Sequence, residues 1–196
     1  MRRIVYVLVV TFLLIGLVGT IGCGGGEKES ELEVKPLPPS TGIETELYTN
    51  SEYGFSIEYP TDWDLEEDYM GMVVGFFGPV LENSYMVNVN VQIEEIPKEM
   101  TVRDYAKACM LTAKKTCEDF QQIEEYKTTT IDGCDAIVDV ITLTVTEGEQ
   151  VFALKDITAM IVRDRKGYML IYDVLENYHD EYLYGFNEAI RTFKFQ

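Results

Sequence analysis

His179 is the only imidazole in the 196 residues, so any histidine-based proton transfer or metal binding must use it. Glu176, Asp180 and Glu181 flank it, and a cation held by His179 with these carboxylates is the chemistry the cluster could supply. The plainer reading is a solvated residue at a helix start. The densest acidic run, Asp62, Asp64, Glu66, Glu67 and Asp68, offers oxygen ligands, yet Glu67 stands where an EF-hand loop needs glycine. It reads as a solvated loop.

Cysteines stand at positions 23, 109, 117 and 134. Cys109 and Cys117 fall on one expected helix, about 12 Å apart along its axis, which exceeds the span of a disulfide. Any disulfide among the last three therefore involves Cys134. A zinc site of three cysteines and His179 lacks any C-x-x-C pair, and buried structural thiols are the preferred reading. No G-x-S-x-G nucleophile elbow occurs, and Gly71, Gly75 and Gly78 match neither a Walker loop nor a dinucleotide fingerprint. No catalytic, cofactor-binding or metal-binding residue is assigned, and the expectation is a protein that is not an enzyme and carries no cofactor.

The charge balance narrows the partners. Lys+Arg is 16 against Asp+Glu 34, a net charge of -18, and such a surface repels phosphate backbones. Nucleic acid is excluded as a partner. With 46% hydrophobic residues the chain is globular in composition.

The first residues write an address. Arg2 and Arg3 precede an uncharged apolar run from Ile4 to Ile21, the layout of an export signal over residues 1–22. Gly22-Cys23 followed by three glycines resembles a lipoprotein lipobox, which makes Cys23 the expected lipid-attachment site. Two acyl chains, at ~0.8 kcal/mol per buried CH₂, anchor a protein stably. The run is also long enough to stay as a membrane anchor, and either outcome leaves the domain tethered outside the cytoplasm. Residues 23–47 then read as the lipidated cysteine and a flexible acidic, proline-rich linker, with the folded domain at 48–196. That domain carries 12 Lys+Arg and 28 Asp+Glu, so 12 - 28 = -16.

The elements within it follow from periodicity. Tyr85, Val87, Val89, Val91 and Ile93 alternate with Asn88, Asn90, Gln92 and Glu94, which reads as a strand with one wet face. Strands are also expected over residues 54–59, 70–77, 123–130, 134–146, 151–163 and 168–175. Glycine-bearing breaks at Asp132-Gly133, Glu147-Gly148 and Arg165-Lys166-Gly167 make the last four antiparallel. Tyr168 to Tyr172 is apolar on both faces and belongs at the sheet centre. Thr101 to Cys117 has helical spacing, with Thr101 and Asp104 approximating a capping box. A second helix is expected over 178–192, with Asn177 as its N-cap. The fold class is α+β, a mostly antiparallel sheet of about six or seven strands packed by helices.

These landmarks resemble the PsbP-like family. They are Tyr53 to Pro60 followed by Trp63, the Thr101-led helix, the Asp132-Gly133 turn, Gly167-Tyr168, and the closing Thr192-Phe193-Lys194-Phe195. The resemblance spans about residues 48–195 and implies an α/β/α sandwich, a non-catalytic role and attachment to assemblies on a membrane surface. It carries no metal ligand onto this chain. The function expected is a lipid-anchored extracytoplasmic binding or assembly module, with the membrane and a protein as partners. The alternative is a small-molecule or metal-binding lipoprotein serving an envelope transporter.

Overall fold

The computed structural model describes residues 36–196; the leader and Cys23 lie outside the described residues. Within these described residues ten strands and two α-helices form three layers. A seven-stranded sheet is built from β3 (Asp64–Glu67), β4 (Val74–Val80), β5 (Met86–Glu95), β6 (Glu118–Ile131), β7 (Cys134–Glu147), β8 (Gln150–Arg163) and β9 (Lys166–Asp173). Its order is β3-β4-β5-β9-β8-β7-β6, and every neighbouring pair is antiparallel. The smaller sheet has β2 (Phe55–Pro60) between β1 (Thr45–Asn50) and β10 (Lys194–Phe195). Helix α1 (Val102–Thr116) covers one face of the large sheet, while α2 (His179–Thr192) and the small sheet cover the other.

Each face is closed by side chains of one parity. Val87, Val89 and Val91 of β5 join Ala159, Leu170 and Tyr172 in packing against Phe186, Ala189 and Ile190 of α2. On the opposite face Ile137, Ile141, Met160, Met169 and Ile171 meet Tyr105, Ala106, Cys109, Met110 and Ala113 of α1. β9, apolar on both sides, sits at the centre as its sequence predicts.

Local chemistry sets the element ends. The Thr101 hydroxyl accepts from the Asp104 amide at 3.1 Å, and the Asp104 carboxylate accepts from the Thr101 amide at 3.4 Å, completing the capping box. Asp132 and Gly133 both have positive φ, 45° and 77°, which is the type I′ pattern that fits the twist of a hairpin.

Several expectations need correction. Asn177 does not cap α2: it lies inside a short 3-10 turn over Glu176–Tyr178 that runs into the helix, and Tyr178 at the boundary is not extended (φ -110°, ψ 3°). The acidic run is not wholly a loop, because Asp64–Glu67 pairs with β4 as an edge strand. Its carboxylates discourage further strand addition there. β1 begins at Thr45, ahead of the expected domain start at residue 48, since Thr45 and Glu46 pair with Pro60 and Tyr59.

The β8–β9 turn is also made differently. Asp164 and Arg165 adopt positive φ, whereas Gly167 lies within β9. Its missing side chain makes room for α1: a Cβ there would stand 2.3 Å from Tyr105 Cζ. Gly167→Ala should therefore lower the unfolding free energy by about 1–3 kcal/mol through overpacking. Urea denaturation with Gly133→Ala as the comparison tests this, because nothing lies within 4 Å of that Cβ position and only backbone strain applies there.

Candidate functional site

The polar side of β5 is not wet. Asn88, Asn90 and Gln92 are 0%, 1% and 3% exposed, on the face of the large sheet that lies away from α2. The amides form a directed chain: Gln92 Nε2 donates to Asn90 Oδ1 at 3.2 Å, and Asn90 Nδ2 donates to Asn88 Oδ1 at 2.8 Å. Asn88 Nδ2 then reaches Asp173 Oδ2 at 3.5 Å, while the Tyr85 hydroxyl donates to Asp173 Oδ1. The chain of donors ends on a carboxylate.

Two further aspartates share this layer. Asp139 on β7 accepts from Gln122 Nε2 at 3.0 Å. Asp156 on β8 lies beside Asp173, and Thr158 stands opposite Asp139 in the β7–β8 register. All three aspartates are buried, and among the described residues no lysine or arginine is buried with them. Asp156 Oδ1 and Thr158 Oγ1 have no hydrogen-bond partner among the described residues.

Without a buried cation, protons carry the balance. Burial, and then the neighbouring charge of Asp173, pushes the Asp156 carboxyl well above the usual range, against the pull of the Val174 amide. Burial also raises Asp173, to about 6, while hydrogen bonds from Tyr85, Asn88 and Asp156 hold it down. The two carboxyls, buried side by side, thus favour holding a proton between them rather than ionising together. Asp139, Asp156 and Asp173 escape a reading for motifs; their one signal is a carboxylate at the inward parity of an otherwise apolar strand.

The residues singled out by sequence are dispersed. His179 is not solvated: it is 7% exposed, with Nδ1 2.8 Å from Asp180 Oδ1 and its carbonyl accepting from the Tyr172 hydroxyl at 2.8 Å. Tyr172 of β9 draws the helix start inward, and its ring lies 5.6 Å from the imidazole. The bond from His179, then its charge, holds the Asp180 carboxyl below the carboxylate range. Among the described residues no three His, Cys, Asp or Glu side chains gather to hold a metal. In the acidic run, Glu67 accepts from the Tyr48 hydroxyl at 2.5 Å.

The described cysteines are free. Cys109 and Cys117 pack on the α1 side of the large sheet and Cys134 on the α2 side, so the sheet itself separates them. Burial pushes the Cys109 thiol up to about 12 and raises that of Cys117 as well. Neither is activated as a nucleophile.

A fourth buried carboxylate fixes where the chain enters the domain. Glu188 of α2 is 1% exposed and accepts from the Thr41 amide, from Thr41 Oγ1 at 2.8 Å and from Ser40 Oγ at 3.1 Å. Arg191 closes its other oxygen at 2.9 Å through Nε. Leu37 packs on the same side of the large sheet. The end of the expected linker is thus latched to the α2 face. Burial raises the Glu188 carboxyl, but the Thr41 amide and Arg191 outweigh it and leave it below its ordinary value.

The outward face of α1 is solvent-exposed, and a groove of 340 Å³ opens at its C-terminal end between Thr116 to Glu118 and Leu143 to Thr146. No helix among the described residues is long and apolar enough to cross a membrane.

This layered topology is met in solved structures. Cyanobacterial PsbP from Synechocystis superposes with a TM-score of 0.57 at 18% identity, over 91% of this chain and 100% of that one. The fold is PsbP-like. LpqN of Mycobacterium tuberculosis, described as involved in cell envelope biogenesis, aligns with a TM-score of 0.57 at 12% identity, over 79% of this chain and 91% of that one. The Saccharomyces cerevisiae Ran-binding protein Mog1p aligns with a TM-score of 0.55 at 10% identity, over 79% of this chain and 96% of that one. At these identities the likeness concerns fold. Neither protein-family models nor curated proteins match the sequence.

Two outcomes follow from the carboxylates. The folded values of Asp156 and Asp173 are raised above that of an unfolded Asp near ~3.9, so their contribution is full below that pH and is lost as pH rises through the folded values. Unfolding free energy should fall as pH rises from about 4, by about 1–3 kcal/mol through Asp173 alone by about pH 7, with Asp156 steepening the decline. Asp156→Asn, which keeps a donor toward Asp173 but cannot titrate, should remove that steepening; an unchanged slope would assign it elsewhere. Glu188 behaves oppositely, its contribution being present above the unfolded value and lost as pH falls through the depressed folded one. Glu188→Ala should cost about 1–3 kcal/mol at neutral pH and expose the Thr41 amide to fast hydrogen exchange.

Proposed function

We propose that this chain is a non-catalytic binding or assembly module held at the outer side of a membrane by a lipid on Cys23. The latch of Ser40 and Thr41 on Glu188 carries this reading. It fixes the entry of the described domain on the α2 face, on the far side of the large sheet from α1, which suits a domain tied at its amino-terminal end and open to a partner elsewhere.

The absence of an activated nucleophile among the buried thiols, and the sealing of the aspartate pair, support a role in binding rather than turnover. LpqN is described as involved in cell envelope biogenesis and Mog1p as Ran-binding, so the same architecture serves at a cell envelope and as a protein-binding domain.

Cys23→Ala tests the anchor. The unaltered protein should fractionate with membranes and, on intact-mass measurement, begin at an acylated Cys23 with the leader removed. The variant should lose the acyl mass and leave the membrane pellet or retain its whole leader. Full-length unmodified protein in the cytosol of cells expressing the unaltered gene would overturn the reading.

A further inference from the structure

Arg103, Lys107, Leu111, Lys114 and Lys115 recur at helical spacing of three and four along α1, so they form one stripe about 18 Å long. Lys107, Lys114 and Lys115 are exposed, and Leu111 between them is 59% exposed. The opposite stripe of the same helix, Tyr105, Ala106, Cys109, Met110 and Ala113, is buried, so α1 is fixed in rotation and cannot turn its leucine inward. The only acidic residue of the helix, Asp104, is engaged by Thr101 in the capping box. None of the four cations forms an ion pair with another described residue.

The setting makes this stripe unusual for the molecule. Residues 48–196 carry 12 basic and 28 acidic side chains, and a third of the basic ones stand on this single helix. A solvated helix in an acidic protein would ordinarily alternate its charges to gain support from neighbouring turns. Lys114 and Lys115 gain from the negative end of the helix dipole, but Arg103 and Lys107 do not, and the repeated like charges around an apolar side chain are complementary to an acidic surface with an apolar centre.

We infer that the α1 stripe is the partner-binding face of this protein, and that its partner is an acidic protein surface presenting carboxylates around an apolar contact for Leu111. This rests on the tethered-module reading for its orientation, because the Glu188 latch holds the tether on the opposite side of the sheet. Charge complementarity selects an anionic partner. Leu111 selects a protein over a simple polyanion, which has nothing to place on a methyl group. The long lysine and arginine stems extend the apolar contact while their charged ends reach outward. Attraction of this kind should set the association rate and be sensitive to salt.

The test is site-specific photo-crosslinking in intact cells with the full-length protein. A photoreactive amino acid is placed at position 111 and, in a separate strain, at position 47, where Leu47 on β1 is 66% exposed on the other side of the domain. The expected result is a discrete adduct from position 111 whose cross-linked peptide, read by mass spectrometry, carries a net negative charge and an apolar residue. That adduct should drop at least tenfold when K107E and K114E are combined, with the circular dichroism spectrum unchanged. Adducts of lipid or of a second copy of this chain at position 111 would overturn the inference. So would a protein adduct that survives the charge reversal. An adduct from position 47 alone would overturn the stripe while leaving the module reading intact, and no adduct from either position would remove both.

Discussion

A seven-stranded sheet covered on both faces leaves no side for polar side chains to reach water, and the interior of this domain is organised around that constraint. β5 carries valines toward α2 and amides toward the opposite face, as a half-exposed strand would, yet the amides are buried. The cost of burying an amide without a partner is several kcal/mol in an apolar medium. It is avoided here by handing donors along the strand from Gln92 through Asn90 and Asn88 to Asp173. The last acceptor must be strong, and a carboxylate is the strongest the chain can provide. Asp173 is thus the terminus that the amide row requires.

That solution shapes the register. Shifting β5 by one residue would put Val89 and Val91 against the carboxylates and the asparagines among Phe186 and Ile190, exchanging every favourable contact for an unfavourable one. The apolar parity alone already penalises such a slip. The amide row adds a second, directional penalty, because its donors meet Asp173 in only one alignment. Buried polar groups of this kind stabilise less than their number suggests but discriminate strongly among packings.

The sequence disclosed the parts of this fold that local chemistry decides. The hairpins joining β6 to β9 were legible from their turns, the first helix from its spacing and capping box, and the central place of β9 from its two apolar faces. What parity could not decide is which strands have a second layer above them. A strand alternating Val with Asn has the same pattern whether its polar side meets water or the domain interior, and only the packed structure resolves it. β1 and β3 were hidden for a different reason. Their residues, TELYTN and DLEE, have the composition of exposed linker, and they become strands because β2 and β4 present free edges to them. The burial of His179 is not legible in the sequence because it depends on Tyr172, whose hydroxyl reaches the His179 carbonyl only once β9 and α2 are packed. The Glu188 latch was illegible too, since it joins residues separated by 147 positions.

The two faces of the large sheet are therefore not equivalent. On the α2 side the covering layer is continuous: a helix, a three-stranded sheet and the latched segment share aromatic contacts such as Phe55 with Phe193 and Tyr168 with Phe195. On the α1 side a single helix covers a layer rich in polar groups, and its small residues Ala106, Cys109 and Ala113 allow close approach to the sheet. Apolar burial, the main source of cohesion, is concentrated where the chain is tied down. Polar selectivity is concentrated beneath α1. A helix held by fewer apolar contacts, fixed in rotation by Tyr105 in the space left by Gly167, keeps its orientation while its outer surface is free to be chosen for something other than folding. The four basic side chains and Leu111 stand on that outer surface, away from the stripe that packs on the sheet.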